Sequence, residues 1–186
     1  MKTFLRARFS FLVLFLAVLP TGCSKGKSVE ELSKQLESPK PKARHHAVRE
    51  LRDMGPKAKD AVPALAKALK DNDPKVRKKA AQALRELGAG AQEATPALAE
   101  GLRDSDPKIR QLAAAALAKI GQEARDAVPD LIQALKDPVP QVRSAAARAL
   151  GAIGSDAKEA VPALQALLKD PNTQVREAAT GALRKM

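Results

Sequence analysis

The chain has no tryptophan and no tyrosine, and its four phenylalanines all lie within the first fifteen residues, at positions 4, 9, 11 and 15. A site for single-stranded nucleic acid stacks bases on aromatic side chains. The remainder of the chain offers none, so its excess of Lys and Arg (33, against 21 Asp and Glu) does not read as a nucleic-acid footprint. Cys23 is the only cysteine, which excludes an intrachain disulfide. The only histidines, His45 and His46, are adjacent. On a helix, neighbouring residues point about 100° apart, so the two imidazoles do not converge on one ion. No third His and no second Cys exists to complete a tetrahedral site. A Gly-rich phosphate loop, a Gly-x-Ser-x-Gly elbow and a His-Glu-x-x-His helix are likewise absent. These absences argue against an enzyme and against any metal or organic cofactor.

What is present begins with a leader. Lys2, Arg6 and Arg8 precede the run Phe9 to Leu19, 11 residues broken only by Ser10, and Pro20-Thr21-Gly22-Cys23 follows. A bilayer-spanning helix needs about 20 apolar residues, so the run reads as the core of a secretory signal peptide over residues 1–22. The stretch Leu19-Pro20-Thr21-Gly22-Cys23 resembles the lipobox of bacterial lipoproteins, with Pro20 where that family usually has Leu, Val or Ile. The resemblance implies that Cys23 is lipidated and becomes the first mature residue, with 23–28 as anchor and short linker. The protein would then be held at a membrane of the bacterial cell envelope. An ordinary cleaved leader, giving a soluble secreted or periplasmic product, is the other reading. Removing Lys2, Arg6 and Arg8 leaves 30 bases and 21 acids, a net charge of about +9.

Beyond the leader one period governs the chain. Pro63, Pro96, Pro129 and Pro162 recur every 33 residues, as do Gly55, Gly88, Gly121 and Gly154, and Arg44, Arg77, Arg110, Arg143 and Arg176. Leu65, Leu98, Leu131 and Leu164 keep the same step, and so do Leu51, Leu84, Leu117, Leu150 and Leu183. Within one period Ala58, Ala61, Val62, Leu65 and Leu69 fall at helical spacing, and Val76, Ala80, Ala83, Leu84 and Leu87 form a second stripe. Each unit is therefore a helix pair. Asp73-Pro74 reads as the N-cap and first position of the second helix, and Gly88 as its left-handed stop. Pro63 sits inside the first stripe, where it either kinks that helix or marks where its regular part begins. Five units are expected, at about 29–55, 56–88, 89–121, 122–154 and 155–186. The first looks like an N-terminal cap, with Ser38 standing where Asp71, Asp104, Asp137 and Asp170 follow later.

The period also suits ankyrin, whose Thr-Pro-Leu-His signature is absent. A tetratricopeptide unit would need Trp and Tyr. With Ala-Val-Pro-Ala-Leu in the first helix and Asp-Pro-Lys-Val-Arg-Lys-Lys-Ala-Ala-Gln-Ala-Leu in the second, the units resemble HEAT-like repeats of the phycobilisome-lyase type over nearly all of 29–186. The resemblance implies an all-α, right-handed solenoid of five helix pairs, its concave face lined by the second helices. It also implies that Asp71, Asp104, Asp137 and Asp170, with Arg77, Arg110, Arg143 and Arg176, join neighbouring units or brace the loop inside each unit. Deoxyhypusine hydroxylases build a di-iron site from His-Glu pairs on related repeats, and this chain has no His-Glu dipeptide. Related bilin lyases attach chromophores to other proteins, and an aromatic-free surface gives a tetrapyrrole little to stack on.

Against this constant frame the outward positions of the second helices vary. One column reads His45, Lys78, Gln111, Ser144, Glu177 and another Arg49, Gln82, Ala115, Arg148, Gly181. A fixed scaffold carrying different outward residues per unit is what a recognition groove requires. The candidate binding residues are His45, Arg49, Lys78, Lys79, Gln82, Arg85, Gln111 and Arg148, for an unidentified protein partner in the envelope. Charge is uneven as well: residues 24–55 carry eight bases and five acids and 56–88 nine and four, while the next two units balance. An alternative reading therefore has the basic N-terminal units engage an anionic membrane or polymer.

Overall fold

The structure, a computed structural model, describes residues 26–186. The predicted leader and Cys23 lie outside the described residues. Ten α-helices follow one another: α1 (Val29–Gln35), α2 (Pro41–Asp53), α3 (Val62–Ala68), α4 (Pro74–Leu87), α5 (Thr95–Gly101), α6 (Pro107–Ile120), α7 (Val128–Ala134), α8 (Pro140–Ile153), α9 (Val161–Leu167) and α10 (Thr173–Leu183). Among the described residues there is no strand. Odd and even helices pair, and the pairs stack into a solenoid.

Local chemistry sets the helix starts. Ser28 and Glu31 form a reciprocal capping box at α1. Asp73 and Asp106 accept the backbone N–H of Lys75 and Lys108, each followed by proline at the first helical position. Asn172 caps α10 by accepting the N–H of Gln174 and Val175, with Thr173 in place of the proline, whereas α8 opens at Val139 with no side-chain cap. The stripe from Ala58 to Leu69 is not one continuous helix. A 3₁₀ segment, Gly55–Ala61, ends at Ala61 (φ −88°, ψ −1°), and α3 starts at Val62. Pro63 thus lies in the first turn of α3, where its missing N–H has no intrahelical acceptor to lose. The same break recurs at Gly88–Ala94, Gly121–Ala127 and Gly154–Ala160. The glycine that ends each second helix except the last does have positive φ, 76° at Gly121, but with ψ −137° rather than the left-handed helical value. That extended mirror region is open only to glycine.

The periodic leucines form the core. Leu32, Leu51, Leu65, Leu84, Leu98, Leu117, Leu131, Leu150 and Leu164 are fully buried, and Val76, Ile109, Val142 and Val175 sit beneath the start of α4, α6, α8 and α10. Each such side chain contributes roughly 1.5–3 kcal/mol by leaving water. Ala80, Ala113, Ala146 and Ala179 are buried on the second helices, and their small size lets those helices approach closely. From unit to unit α2, α4, α6, α8 and α10 pack extensively on one another, while α3, α5 and α7 barely meet. A stack compressed on one side and splayed on the other curves, so the even helices form the concave face.

Candidate functional site

The Asp and Arg ladders resolve into a single repeated bridge. Arg77 Nε and Nη2 donate to the two carboxylate oxygens of Asp104, 27 residues on, at 2.7 and 3.1 Å, while Nη1 donates to the carbonyl of Asp71, six residues back, at 2.9 Å. Arg110 repeats this with Asp137 and the Asp104 carbonyl, and Arg143 with Asp170 and the Asp137 carbonyl. One guanidinium therefore closes its own unit's interhelical loop and clamps the next unit bidentately. Each aspartate also accepts the N–H two residues on, that of Asp73, Asp106, Val139 or Asn172, at 2.8 Å. Arg44 belongs to this series and pairs with Asp71 at 2.5 and 2.8 Å. The signal for it was present in the sequence: Arg44 keeps the period although its own unit has Ser38 in place of an aspartate, so its partner had to lie in the next unit. Arg176 donates to the Asp170 carbonyl and to Thr173 Oγ1.

Burial pushes the carboxyls of Asp71, Asp104 and Asp137 up. The paired guanidinium and the backbone N–H, helped by a second nearby arginine at Asp71 and Asp137 and by the Ser105 hydroxyl at Asp104, more than offset it and hold all three below their ordinary value. At Asp170 the bond from Arg143 is the largest influence, in the same downward direction.

On the concave face, Arg85, Gln111 and Arg148 line one groove of about 350 Å³ with Ala115, Ala118, Ala145, Lys119, Gln141, Ser144 and Gln174. Such a volume lies at the lower end of the range for ligand clefts. Gln82 and Arg85 line a neighbouring recess of about 450 Å³ with Arg52, Gly55, Pro56 and Glu86. His45, Arg49, Lys78 and Lys79 lie on α2 and α4 outside both hollows. His45 stands among cations: burial first, then the charges of Lys79, Lys75 and Arg49, lower its pKa, with Asp73 opposing them. Lys119, Gln141 and Gln174 are groove residues outside the variable columns followed in the sequence. Gln141 and Gln174 stand at one register where the earlier units have Lys42, Lys75 and Lys108, and Lys119 stands at another with Asp53, Glu86, Ala152 and Lys185; neither column by itself places its residues in the groove. Among the described residues no group of three His, Cys, Asp or Glu is placed to hold a metal ion. No helix among them is long and apolar enough to cross a membrane.

Comparison with known proteins follows the same geometry. Among curated proteins none matches the chain. Of the solved structures, the complex of CpcE and CpcF of phycocyanin lyase from Nostoc sp. PCC7120 is similar, at 29% identity and a TM-score of 0.72 over 90% of this chain and 68% of that one. An engineered protein matches at 30% identity and a TM-score of 0.67, covering 84% and 78%. A designed armadillo repeat protein shares the fold at 21% identity and a TM-score of 0.70, covering 84% and 81%. The family profile for HEAT repeats matches residues 29–118 and 95–184. With the 33-residue helix pairs, the Arg–Asp clamps and these likenesses together, the chain belongs to the HEAT-repeat family, with units of the phycobilisome-lyase type.

Proposed function

We propose that the protein is a non-catalytic docking scaffold, anchored at the bacterial cell envelope, whose concave face binds a protein partner. The observation that carries this reading is the division of labour inside each second helix. The periodic residues are buried or clamped, while the changing ones gather on the concave face, where Arg85, Gln111 and Arg148 open onto a shared groove. HEAT and armadillo-like solenoids commonly serve protein interaction, and the similar phycocyanin lyase structure is itself a complex of two chains. The non-catalytic part rests on the sequence, which lacks any His-Glu pair and, beyond the leader, any aromatic residue on which a tetrapyrrole could stack. Trp and Tyr, the commonest hot-spot residues, are missing, so arginine would anchor the interface. The envelope location rests on the leader and on the lipobox resemblance around Cys23.

The experiment is to reverse charge at His45, Lys78, Arg85 and Arg148, leave the Arg–Asp clamps intact, and compare partner capture from the envelope with that of the parent. Selective loss of partners with helicity retained supports the reading, and an unchanged captured set defeats it. Cys23→Ser should release the protein to soluble fractions; unchanged membrane partition together with no incorporated fatty acid removes the anchor.

A second reading, binding of an anionic membrane by the basic N-terminal units, is favoured by the crowding of Arg49, Lys75 and Lys79 around His45. Each base near such a surface adds about 1 kcal/mol before screening. Flotation with anionic vesicles tests it, since binding indifferent to lipid charge and to salt would count against it.

A further inference from the structure

The groove across α4, α6, α8 and α10 has a polarity of its own. Arg85, Lys119 and Arg148 bring three cations to it, and no carboxylate lines it. The acids flanking it are Glu86, already bonded to Arg85 at 2.6 Å, and Glu177 in the adjoining recess. Arg148 is exposed and makes no ion pair among the described residues. Three glutamines, Gln111, Gln141 and Gln174, line the same groove. Lys108 occupies the Gln111 carbonyl at 2.9 Å, leaving that side chain's N–H groups. Ser144 is buried and anchors α8 to α10 by donating to the Gln174 carbonyl at 3.3 Å. Ala115, Ala118 and Ala145 supply a floor without bulk, over which a chain can lie close to the helices.

We infer that this groove binds an extended acidic polypeptide segment, with its main chain across Gln111, Gln141 and Gln174 and its carboxylates toward Arg85 and Arg148. The inference rests on the concave-face reading above and names the chemistry of the partner. A peptide unit offers one donor and one acceptor, and a glutamine amide offers both in return. Phosphate or sulfate groups carry acceptors only, so against a polyanion the side-chain carbonyls of Gln141 and Gln174 would face no donor. A bilayer surface is flat and does not enter a concave recess. The spacing of the cations sets a length. Arg85 on α4 and Arg148 on α8 are two helix packings apart, about 16–20 Å at 8–10 Å each, which an extended chain covers in roughly five or six residues.

The test uses the full chain in a zwitterionic detergent and fluorescent peptides of equal length. One carries two glutamates about six residues apart, its isomer carries them adjacent, and a counterpart carries lysines instead. The spaced peptide is expected to bind, the isomer about tenfold more weakly, and the lysine peptide not measurably. Arg85→Glu with Arg148→Glu should weaken the spaced peptide by about tenfold or more, and Gln141→Ala with Gln174→Ala by several-fold, with helicity unchanged. Should the double reversal fail to fold, Arg148→Gln alone removes one unpaired cation of the groove and must still weaken binding. Equal binding of the two isomers overturns the inference, as does binding that ignores Arg148. Anionic phospholipid vesicles that bind through Arg85 and Arg148 while no peptide binds would overturn it in favour of a lipid. If no peptide binds yet the reversal still strips partners from the envelope capture, the acidic segment falls and the docking face stands. If both are unchanged, both fall.

Discussion

Arg77 and Asp104 are 27 residues apart in sequence and joined by two parallel hydrogen bonds, with the guanidinium 16% and the carboxylate 9% exposed. Because the third nitrogen of Arg77 holds the loop carbonyl of its own unit, the side chain fixes both the internal turn and the stacking of the next pair. Removing one partner leaves the other buried and unpaired. Asp104→Ala should therefore cost about 2–4 kcal/mol, somewhat less than a fully buried pair because both groups keep some water contact. Arg77→Lys should cost about 1–2 kcal/mol, since an ammonium cannot donate in a planar fork. Urea unfolding of both single variants and the double variant checks this, and a coupling energy near zero would show that the bridge does not join the units.

The same bridges give the stability its pH dependence. Asp71, Asp104, Asp137 and Asp170 have folded pKa values lowered from an ordinary 3.8. Between the folded and unfolded values the unfolded chain binds protons that the folded chain does not, so stability rises with pH there. The contribution is fully present above about pH 4 to 5 and is lost as pH falls through the folded values. The melting temperature should fall only slightly from neutral pH down to that point, through protonation of His45, whose folded pKa is lowered, and drop steeply below it. Asp104→Asn should melt lower at neutral pH and lose less on acidification. An acid slope identical to the parent's would count against this assignment.

Thr95 is 5% exposed and its hydroxyl has no hydrogen-bond partner. At the same register stand Val62, Val128 and Val161, so the pocket is shaped for a branched apolar side chain. Thr95→Val removes an unsatisfied polar group without changing shape and should stabilise by about 1 kcal/mol. A lower melting temperature would mean that the hydroxyl has a partner in solution.

The helix pairs were legible because a 33-residue period carries proline, glycine, leucine and alanine in fixed register, and each residue type has one local use. The partner of each arginine was less legible. Arg77 lies six residues from Asp71, and sequence distance favours that pairing, yet the side chain takes only the Asp71 carbonyl and gives its fork to Asp104. The break before Pro63 was half legible, as one of two options, because the apolar stripe runs on through a 3₁₀ turn that keeps Ala58 and Ala61 inward. The groove was legible at Arg85, Gln111 and Arg148 but not at Lys119, Gln141 and Gln174. Those three enter it through the curvature of the stack, which depends on how closely the even helices pack and not on the pattern within any one of them.

That close packing makes two glycines on the concave side behave oppositely. A Cβ on Gly151 in α8 would lie 2.7 Å from the Ala182 Cα and 3.0 Å from its Cβ. Backbone cannot yield cheaply, so Gly151→Ala must push α10 away from α8 and should cost about 1–3 kcal/mol despite the better helix propensity of alanine. Gly181 in α10 has nothing within 4 Å of the equivalent point. Gly181→Ala therefore gains propensity without a clash and should stabilise by roughly 0.5–1 kcal/mol. Thermal melts of the two variants should move in opposite directions. If Gly151→Ala raised the melting temperature as Gly181→Ala does, α8 and α10 would be further apart than the structure has them.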